Sequence, residues 1–281
     1  MKAIWLVFLL SGTASAGTFE PPQGCTGFLT VQSRGCKVSN HYTCTADAPG
    51  DQTRVDFGAE GAYFVSRIDY EAQWVASVEL PTGIEQILLP EAADPASFSE
   101  LLASGRDDYD FGLSRSDGST SRVTGYDRLT GRRVVIDGIP LQQTEFAMTE
   151  TAPDGTITHR ARGFEYVHPA WRLFFSGPSE WDPGDGFLPI DHSPITFSQP
   201  GEAGFMETEP KYECDMLMSS WTGAALTERA MAAGVPNGLS GISRNRDNQI
   251  DRKADTFADR TTHRIEAAFM PSITLSASPE E

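Results

Sequence analysis

Two acidic segments contain residue types that act as acids, bases or metal ligands in proteins. In residues 107–110 (Asp-Asp-Tyr-Asp), strand alternation would place Asp108 and Asp110 on one face, with Cβ atoms about 6.5–7 Å apart. Such a pair could bind Ca²⁺ or act as glycosidase carboxylates, although glycosidase pairs normally come from two converging strands. Residues 182–191 form a second oxygen-rich segment with three aspartates. Neither segment has EF-hand spacing, so we interpret both as solvated loops and predict no metal site.

Histidine and serine residues do not form a recognisable hydrolase motif. No two of the five His residues lie four positions apart, and no Gly-x-Ser-x-Gly segment is present. Asp191, His192 and Ser193 are consecutive, but neighbouring loop side chains point apart, whereas a catalytic triad must converge in space. No glycine-rich phosphate loop follows a strand, so we predict no catalytic motif and no cofactor. The alternative is a hydrolase site assembled from distant residues. Its candidate residues are Asp108, Asp110, Glu165 and His192.

The four cysteines, Cys25, Cys36, Cys44 and Cys214, predict two disulfide bonds. None belongs to a Cys-x-x-Cys pair, which disfavours a redox or zinc role, and an even number in an exported chain is typical of structural disulfides. Three pairings are open. We expect Cys25–Cys36 as a local bridge and Cys44–Cys214 as a long closure, which the chain-entropy model values at about 4–5 kcal/mol.

Aromatic side chains recur on several predicted strands, where alternation places them on common faces. They are Trp74, Phe164, Tyr166, Trp171 and Phe175. The simpler interpretation is that these residues form the core of a sandwich or barrel. The alternative is a concave sheet whose face holds an apolar ligand, with a helix over residues 94–104 as its lid.

Short strands must position these side chains, because hydrophobic and polar residues alternate and turn signals recur every 8–12 residues. Ser116–Ser119 and Asp137-Gly138 are typical hairpin signals. We therefore predict a mainly β fold, a curved antiparallel sheet or partly open barrel. One short covering helix is predicted, with Asp94 as N-cap, Pro95 in the first turn and Gly105 as C-cap.

The last third of the chain is harder to assign to regular elements. Residues 176–204 contain many Gly and Pro residues, which predicts a loop. A last strand is predicted over Tyr212–Met218. We expect residues 222–281 to form a C-terminal extension, helical or poorly ordered, in which Asp247–Phe269 carries a narrow apolar stripe.

The net charge and the N-terminal segment limit the partners and the compartment. A net charge of −17 and a pI near 4.6 argue against nucleic acid and anionic membrane surfaces as partners. Met1–Ala16 has an early Lys, a short apolar run and an Ala-Ser-Ala end, the pattern of a signal peptide. The apolar run is far shorter than the roughly 20 residues of a membrane span. We predict a soluble periplasmic or secreted protein, with a β domain over residues 17–221.

In outline, this leader, the antiparallel meander and the interrupting helix over 94–104 resemble the periplasmic lipoprotein-carrier proteins of the LolA/LolB type, over about residues 50–218. The resemblance implies an incomplete β-barrel with a helical lid that shields acyl chains, and it carries no site residue to this chain. Our first hypothesis is an exported, non-catalytic protein that binds an apolar ligand or an envelope component, with a lipid or protein as partner. The alternatives are the hydrolase above and a protein-interaction module that uses the helix over 247–269.

Overall fold

The computed structural model describes residues 17–184 and 186–215, which form an open antiparallel sheet of 13 strands. The strands are β1 (Cys25–Ser33), β2 (Lys37–Cys44), β3 (Gln52–Gly58), β4 (Gly61–Ile68), β5 (Trp74–Glu79), β6 (Ile84–Leu88), β7 (Arg106–Arg115), β8 (Thr120–Ile136), β9 (Ile139–Thr151), β10 (Ile157–His168), β11 (Leu173–Asp182), β12 (Leu188–Asp191) and β13 (Pro194–Ser198). Strands β1 to β12 pair in chain order, and β13 returns to pair with β1, so β12 and β13 are the two edges. The predicted mainly β fold is confirmed. The predicted signal peptide (1–16) and C-terminal extension (222–281) lie outside the described residues.

Tight turns explain why the strands pair in chain order. Between β8 and β9, Asp137 and Gly138 have φ angles of 49° and 76°, the left-handed pair that a type I′ hairpin requires. The predicted hairpin turn at Ser116–Ser119 joins β7 to β8. Strand β8 is unusually long because it continues past a register shift between Leu129 and Arg133.

The predicted helix is present but begins later than expected. Helix α1 spans Phe98–Ser104, and its N-cap is Ser97, whose side chain accepts a hydrogen bond from the Glu100 N–H. Asp94 is not the cap, because its backbone N–H and C=O both pair with Asp110 on β7. Gly105 ends the helix in the left-handed conformation, as predicted. In the two described ranges, no helix is long and apolar enough to cross a membrane.

The prediction of a loop over residues 176–204 is wrong, since that stretch completes β11 and forms β12 and β13. Gly177 and Pro178 lie where the β10–β11 register shifts between Gly163 and Glu165. A proline lacks the N–H that a regular ladder needs, but it is tolerated at such a bulge. Breaker residues therefore mark an irregularity within β11 rather than its end.

The prediction of two disulfide bonds is confirmed, since all four cysteines are bonded. The expected pairing, however, is wrong. The bonds are Cys25–Cys44 and Cys36–Cys214. Cys25 begins β1 and lies directly opposite Cys44 at the end of β2. Cys36 lies in the turn beyond the other end of β1, whose nine residues, beginning with Cys25, rise about 3.4 Å each. That distance excludes the local bridge that sequence proximity suggested.

The predicted last strand, Tyr212–Met218, is not found in its described part, residues 212–215. The segment over residues 204–214 instead runs across the β1–β2 hairpin and bonds to side chains there. Gln32 accepts from the Lys211 N–H and donates to the Glu209 carbonyl. Met206, with Phe19, packs against the buried side chains of β2, β3 and β4. Side chains of the hairpin form hydrogen bonds with the backbone of this segment, so the segment adds no strand to the sheet.

Candidate ligand-binding cavity

A cavity of about 480 Å³ lies against the sheet, and strands β2 to β12 and helix α1 all contribute to its wall. Eight Phe, Tyr and Trp side chains contribute to its lining: Phe64, Trp74, Phe98, Tyr109, Phe111, Phe146, Phe174 and Trp181. Trp74 contacts Phe111 edge to face with ring centroids 5.7 Å apart, and Phe98 contacts Phe174 in the same way at 5.3 Å. The volume falls within the roughly 300–1,000 Å³ typical of small-molecule sites.

Strand alternation in β7 decides which of its residues reach the cavity. Asp107, Tyr109, Phe111 and Leu113 line it, because side chains two residues apart share a face. Asp108 and Asp110, the pair singled out from the sequence, do not line it. Each instead forms an ion pair with an arginine, Asp108 with Arg106 and Asp110 with Arg122.

Six carboxyl side chains line this cavity, and among them Asp127 interacts electrostatically with both Asp107 and Glu165. Asp107 on β7 and Asp127 on β8 are direct cross-strand partners, which places their Cβ atoms about 4.5–5.5 Å apart. Glu165 comes from β10, two strands further along the sheet. In the described ranges, no group of three or more His, Cys, Asp or Glu is arranged to hold a metal ion.

The environment raises the pKa of Asp107, Asp127 and Glu165. Burial raises the pKa of Asp107 to about 6 and that of Glu165 to about 7. For Asp127, burial and then the charges of Glu165 and Asp107 raise the pKa well above its usual value. Carboxyl groups that are buried near like charges favour the protonated form. Perturbed acids that share a cavity are a common feature of functional sites.

Tyr109 interacts electrostatically with these three acids. Burial, and then the charges of Asp127, Glu165 and Asp107, raise the pKa of its phenol. Its ring crosses the neighbouring strand over Gly125, where an added Cβ would lie 2.7 Å from the Tyr109 ring and 2.5 Å from the Ala147 carbonyl oxygen. Glycine at this position therefore provides the space that lets the tyrosine ring lie across β8.

Two buried acceptor oxygens in the cavity wall have no hydrogen-bond partner. Asp107 is 4% exposed, and one of its carboxyl oxygens accepts from the Ser97 N–H at 2.9 Å, while Oδ1 has no partner. Gln52 is 9% exposed; its amide nitrogen donates to the Trp171 carbonyl, while Oε1 has no partner. A buried acceptor without a partner costs about 1–3 kcal/mol.

A second polar group, centred on Asp56, is saturated by its own contacts. Lys37 and Arg54 lie 3.1 Å and 3.0 Å from its carboxylate, and Ser39 donates to it at 2.6 Å. Burial acts to raise the pKa of Asp56, but the charges of Arg54 and Lys37 lower it overall. Burial, followed by the charge of Arg54, lowers the pKa of the adjacent His41 to about 3. Asp56 therefore has a structural role as the anion of a buried ionic network.

The other predicted residues are dispersed. Ser193 donates to Asp191 through both its backbone N–H and its hydroxyl, and His192 lines the cavity without taking part in those bonds. Of the predicted apolar face, only Trp74 lines the cavity. Phe175, Tyr166 and Trp171 pack with the buried side chains of β1 and β13. Phe164 is 41% exposed and lies outside the cavity.

Sequence reasoning missed Asp107, Tyr109 and Asp127. The signal in residues 107–113 is the same alternation that suggested the Asp108–Asp110 pair, because the opposite face reads Asp, Tyr, Phe, Leu. An acid that continues an apolar face is the more unusual feature, since buried carboxyl groups need a reason to be there. Asp127 has no comparable local signal, because only the β7–β8 register places it beside Asp107.

Comparison with known protein families, with curated proteins and with solved structures found no match. The cavity and the groups that line it are therefore the basis for a functional assignment.

Proposed function

We propose that this protein is an exported, non-catalytic binding protein that holds an amphiphilic ligand with an apolar chain in the cavity. The observation that carries the proposal is the cavity of about 480 Å³ with eight Phe, Tyr and Trp side chains in its wall. An apolar wall with a few convergent polar groups is the usual composition of a small-molecule site.

Helix α1 supports this proposal through its position at the cavity wall. Phe98 lines the cavity, is 1% exposed and packs with Leu101, Ala72 and Val167. Arg172 holds the helix from outside, because it bonds to Glu71 and to the Ser99 hydroxyl. In this proposal, the helix closes one side of the site, as expected from the resemblance to lipoprotein carriers.

The proposed compartment is the periplasm or the extracellular space. The two disulfides, with no free cysteine among the described residues, fit an oxidising environment. An acidic chain that binds an apolar molecule there would carry it through water, with an envelope lipid or protein as the partner. We propose this carrier role for the present chain on the strength of the cavity.

A dye-binding assay tests the proposal directly. The purified protein should increase the fluorescence of N-phenyl-1-naphthylamine in a saturable way, and decanol should displace the dye. Trp74→Ala should weaken dye binding several-fold because it removes an aromatic wall, and Ala161→Trp should weaken it by filling the cavity. Val135→Ala is the matched control, because Val135 is 71% exposed and lies outside the cavity.

The outcome is clear in either direction if folding is checked by circular dichroism. Saturable binding that both cavity variants weaken and the control leaves unchanged supports the proposal. No dye binding, together with no lipid recovered by organic extraction of the purified protein, would overturn it.

A hydrolase remains the second candidate function, and a specific observation favours it: Asp107, Asp127 and Glu165 line one cavity. Two carboxyl groups with different protonation states are the equipment of acid–base catalysis. Turnover of a p-nitrophenyl ester or glycoside that is lost in both Asp127→Asn and Glu165→Gln would support this function. Turnover that persists in both variants, or is absent from the wild type, would count against it.

A further inference from the structure

Asp107, Asp127 and Glu165 lack the cationic partners that usually neutralise carboxylates in a protein interior. None of the ion pairs formed by the described residues includes Asp107, Asp127 or Glu165. Buried acids elsewhere in the sheet are paired: Asp56 with Lys37 and Arg54, and Glu150 with Arg115. The three cavity acids therefore differ from the structural ones in lacking a cation.

Unpartnered acceptors in the same wall indicate which kind of group is missing. Asp107 Oδ1 and Gln52 Oε1 are both buried and accept no hydrogen bond. Both are oxygens, and the carboxyl groups of Asp127 and Glu165 are acceptor-only once a cation draws them into the ionised form. The arginines of the wall, Arg54, Arg67 and Arg115, are already ion-paired with Asp56, Asp47 and Glu150. A ligand that satisfies this wall must bring several N–H or O–H donors.

Aromatic rings next to the acids favour a positively charged donor. Tyr109 interacts electrostatically with all three acids. Its ring centroid is 5.9 Å from that of Phe111, which Trp74 also contacts. The faces of such rings attract cations, with Trp and Tyr the strongest. Carboxylates combined with aromatic rings are the usual surroundings of a bound ammonium group.

We propose that Asp107, Asp127 and Glu165 bind the protonated amine of an amphiphilic ligand whose alkyl portion lies along the aromatic wall of the cavity. This inference rests on the proposed binding function and specifies the chemical class of the ligand. An ammonium group supplies three donors and one positive charge, which matches the acceptors and the uncompensated acids.

Other polar head groups fit this wall less well. A fatty-acid carboxylate would bring a further negative charge to three acids, and like charges in a buried site repel strongly. The arginines that line the cavity are Arg54, Arg67 and Arg115, and each is already ion-paired, with Asp56, Asp47 and Glu150 respectively. An alcohol would supply a single donor with no charge and would leave the cluster uncompensated.

Competition among three ligands of equal chain length tests the proposal. Decylamine, decanol and decanoate would each be titrated against bound N-phenyl-1-naphthylamine at pH 8, where an alkylamine is protonated like lysine. We expect decylamine to displace the dye at a concentration roughly tenfold or more below that of decanol, the difference that one charge-assisted hydrogen bond provides. Decanoate should be the weakest competitor.

Variants that each remove one carboxylate charge show which side chains cause the preference for decylamine over decanol. Asp127→Asn and Glu165→Gln should each reduce several-fold the ratio of the decanol concentration to the decylamine concentration needed to displace the dye. Asp108→Asn is the matched control, since Asp108 is exposed and bonds to Arg106 outside the cavity. This control should retain the full preference for the amine.

The possible results separate this inference from the function on which it rests. Equal displacement by decylamine and decanol in the wild type, or a preference that survives both neutralising variants, overturns the amine proposal and leaves apolar binding intact. Failure of all three ligands and of the dye to bind overturns both. A preference that Asp108→Asn abolishes would place the amine on the opposite face of β7 and would also overturn the proposal.

Discussion

The two disulfides should contribute unequally to stability, and the loops that they close give the size of the difference. Cys36–Cys214 joins residues 178 positions apart, whereas Cys25–Cys44 joins residues 19 apart. In the chain-entropy model these loops correspond to about 5 and about 3 kcal/mol at 25 °C. Replacing Cys36 and Cys214 by Ala should therefore cost about 2 kcal/mol more than replacing Cys25 and Cys44.

The folded state supports this reasoning because the long-range bridge is not the only contact of its segment. The Cys36 N–H donates to the Tyr212 carbonyl, and Glu213 bonds to Arg34 and to the Gly35 N–H. The segment over residues 204–214 should thus stay on the β1–β2 hairpin without the bond. Most of the loss then comes from the greater freedom of the unfolded chain.

Urea unfolding followed by tryptophan fluorescence would measure both double variants, Cys36→Ala/Cys214→Ala and Cys25→Ala/Cys44→Ala, without reductant. Peptide mapping of the wild type would first verify the pairing. An equal or larger loss for the Cys25–Cys44 variant would refute the reasoning, because it would mean that loop entropy in the unfolded chain does not set the contribution of each bond.

Three further perturbations test the cavity and its walls. Burial raises the pKa of Glu165 from 4.5 to about 7, so its contribution to stability is complete below about pH 4.5 and is lost as the pH rises through 7. Glu165→Gln should therefore gain about 3 kcal/mol of stability relative to the wild type between pH 4.5 and pH 8. A pH-independent difference in urea unfolding would contradict this. Gly125→Ala should lower stability by about 1–3 kcal/mol, since its Cβ would lie 2.5 Å from the Ala147 carbonyl oxygen, and an unchanged melting temperature would show that β8 and Tyr109 can yield. Phe98→Ala should lower the free energy of unfolding by about 3–5 kcal/mol, because Phe98, the first residue of α1, is only 1% exposed. A loss below about 1 kcal/mol would mean that the helix is not packed on the sheet.

Local sequence signals predicted the elements better than their ends. The hairpin at Ser116–Ser119 and the helix C-cap at Gly105 are confirmed, because a turn or a cap depends on residues only a few positions apart. The sequence pattern predicts the N-cap at Asp94, but the cap is Ser97 because pairing with β7 occupies the Asp94 backbone. Gly177 and Pro178 suggested a loop, but β10 and β12 hold that segment in the sheet.

The sequence by itself determined the alternating strands, the tight turns, the acidic charge and the presence of four paired cysteines. Those properties follow from residue type and short-range spacing. Only the tertiary structure decided that Cys25 faces Cys44, that Asp107 faces Asp127, and that Glu165 joins them across β9. The physical reason is strand register. Side chains alternate between the two faces of a strand, so a shift of one residue would exchange the cavity acids for the ion-paired acids on the opposite face.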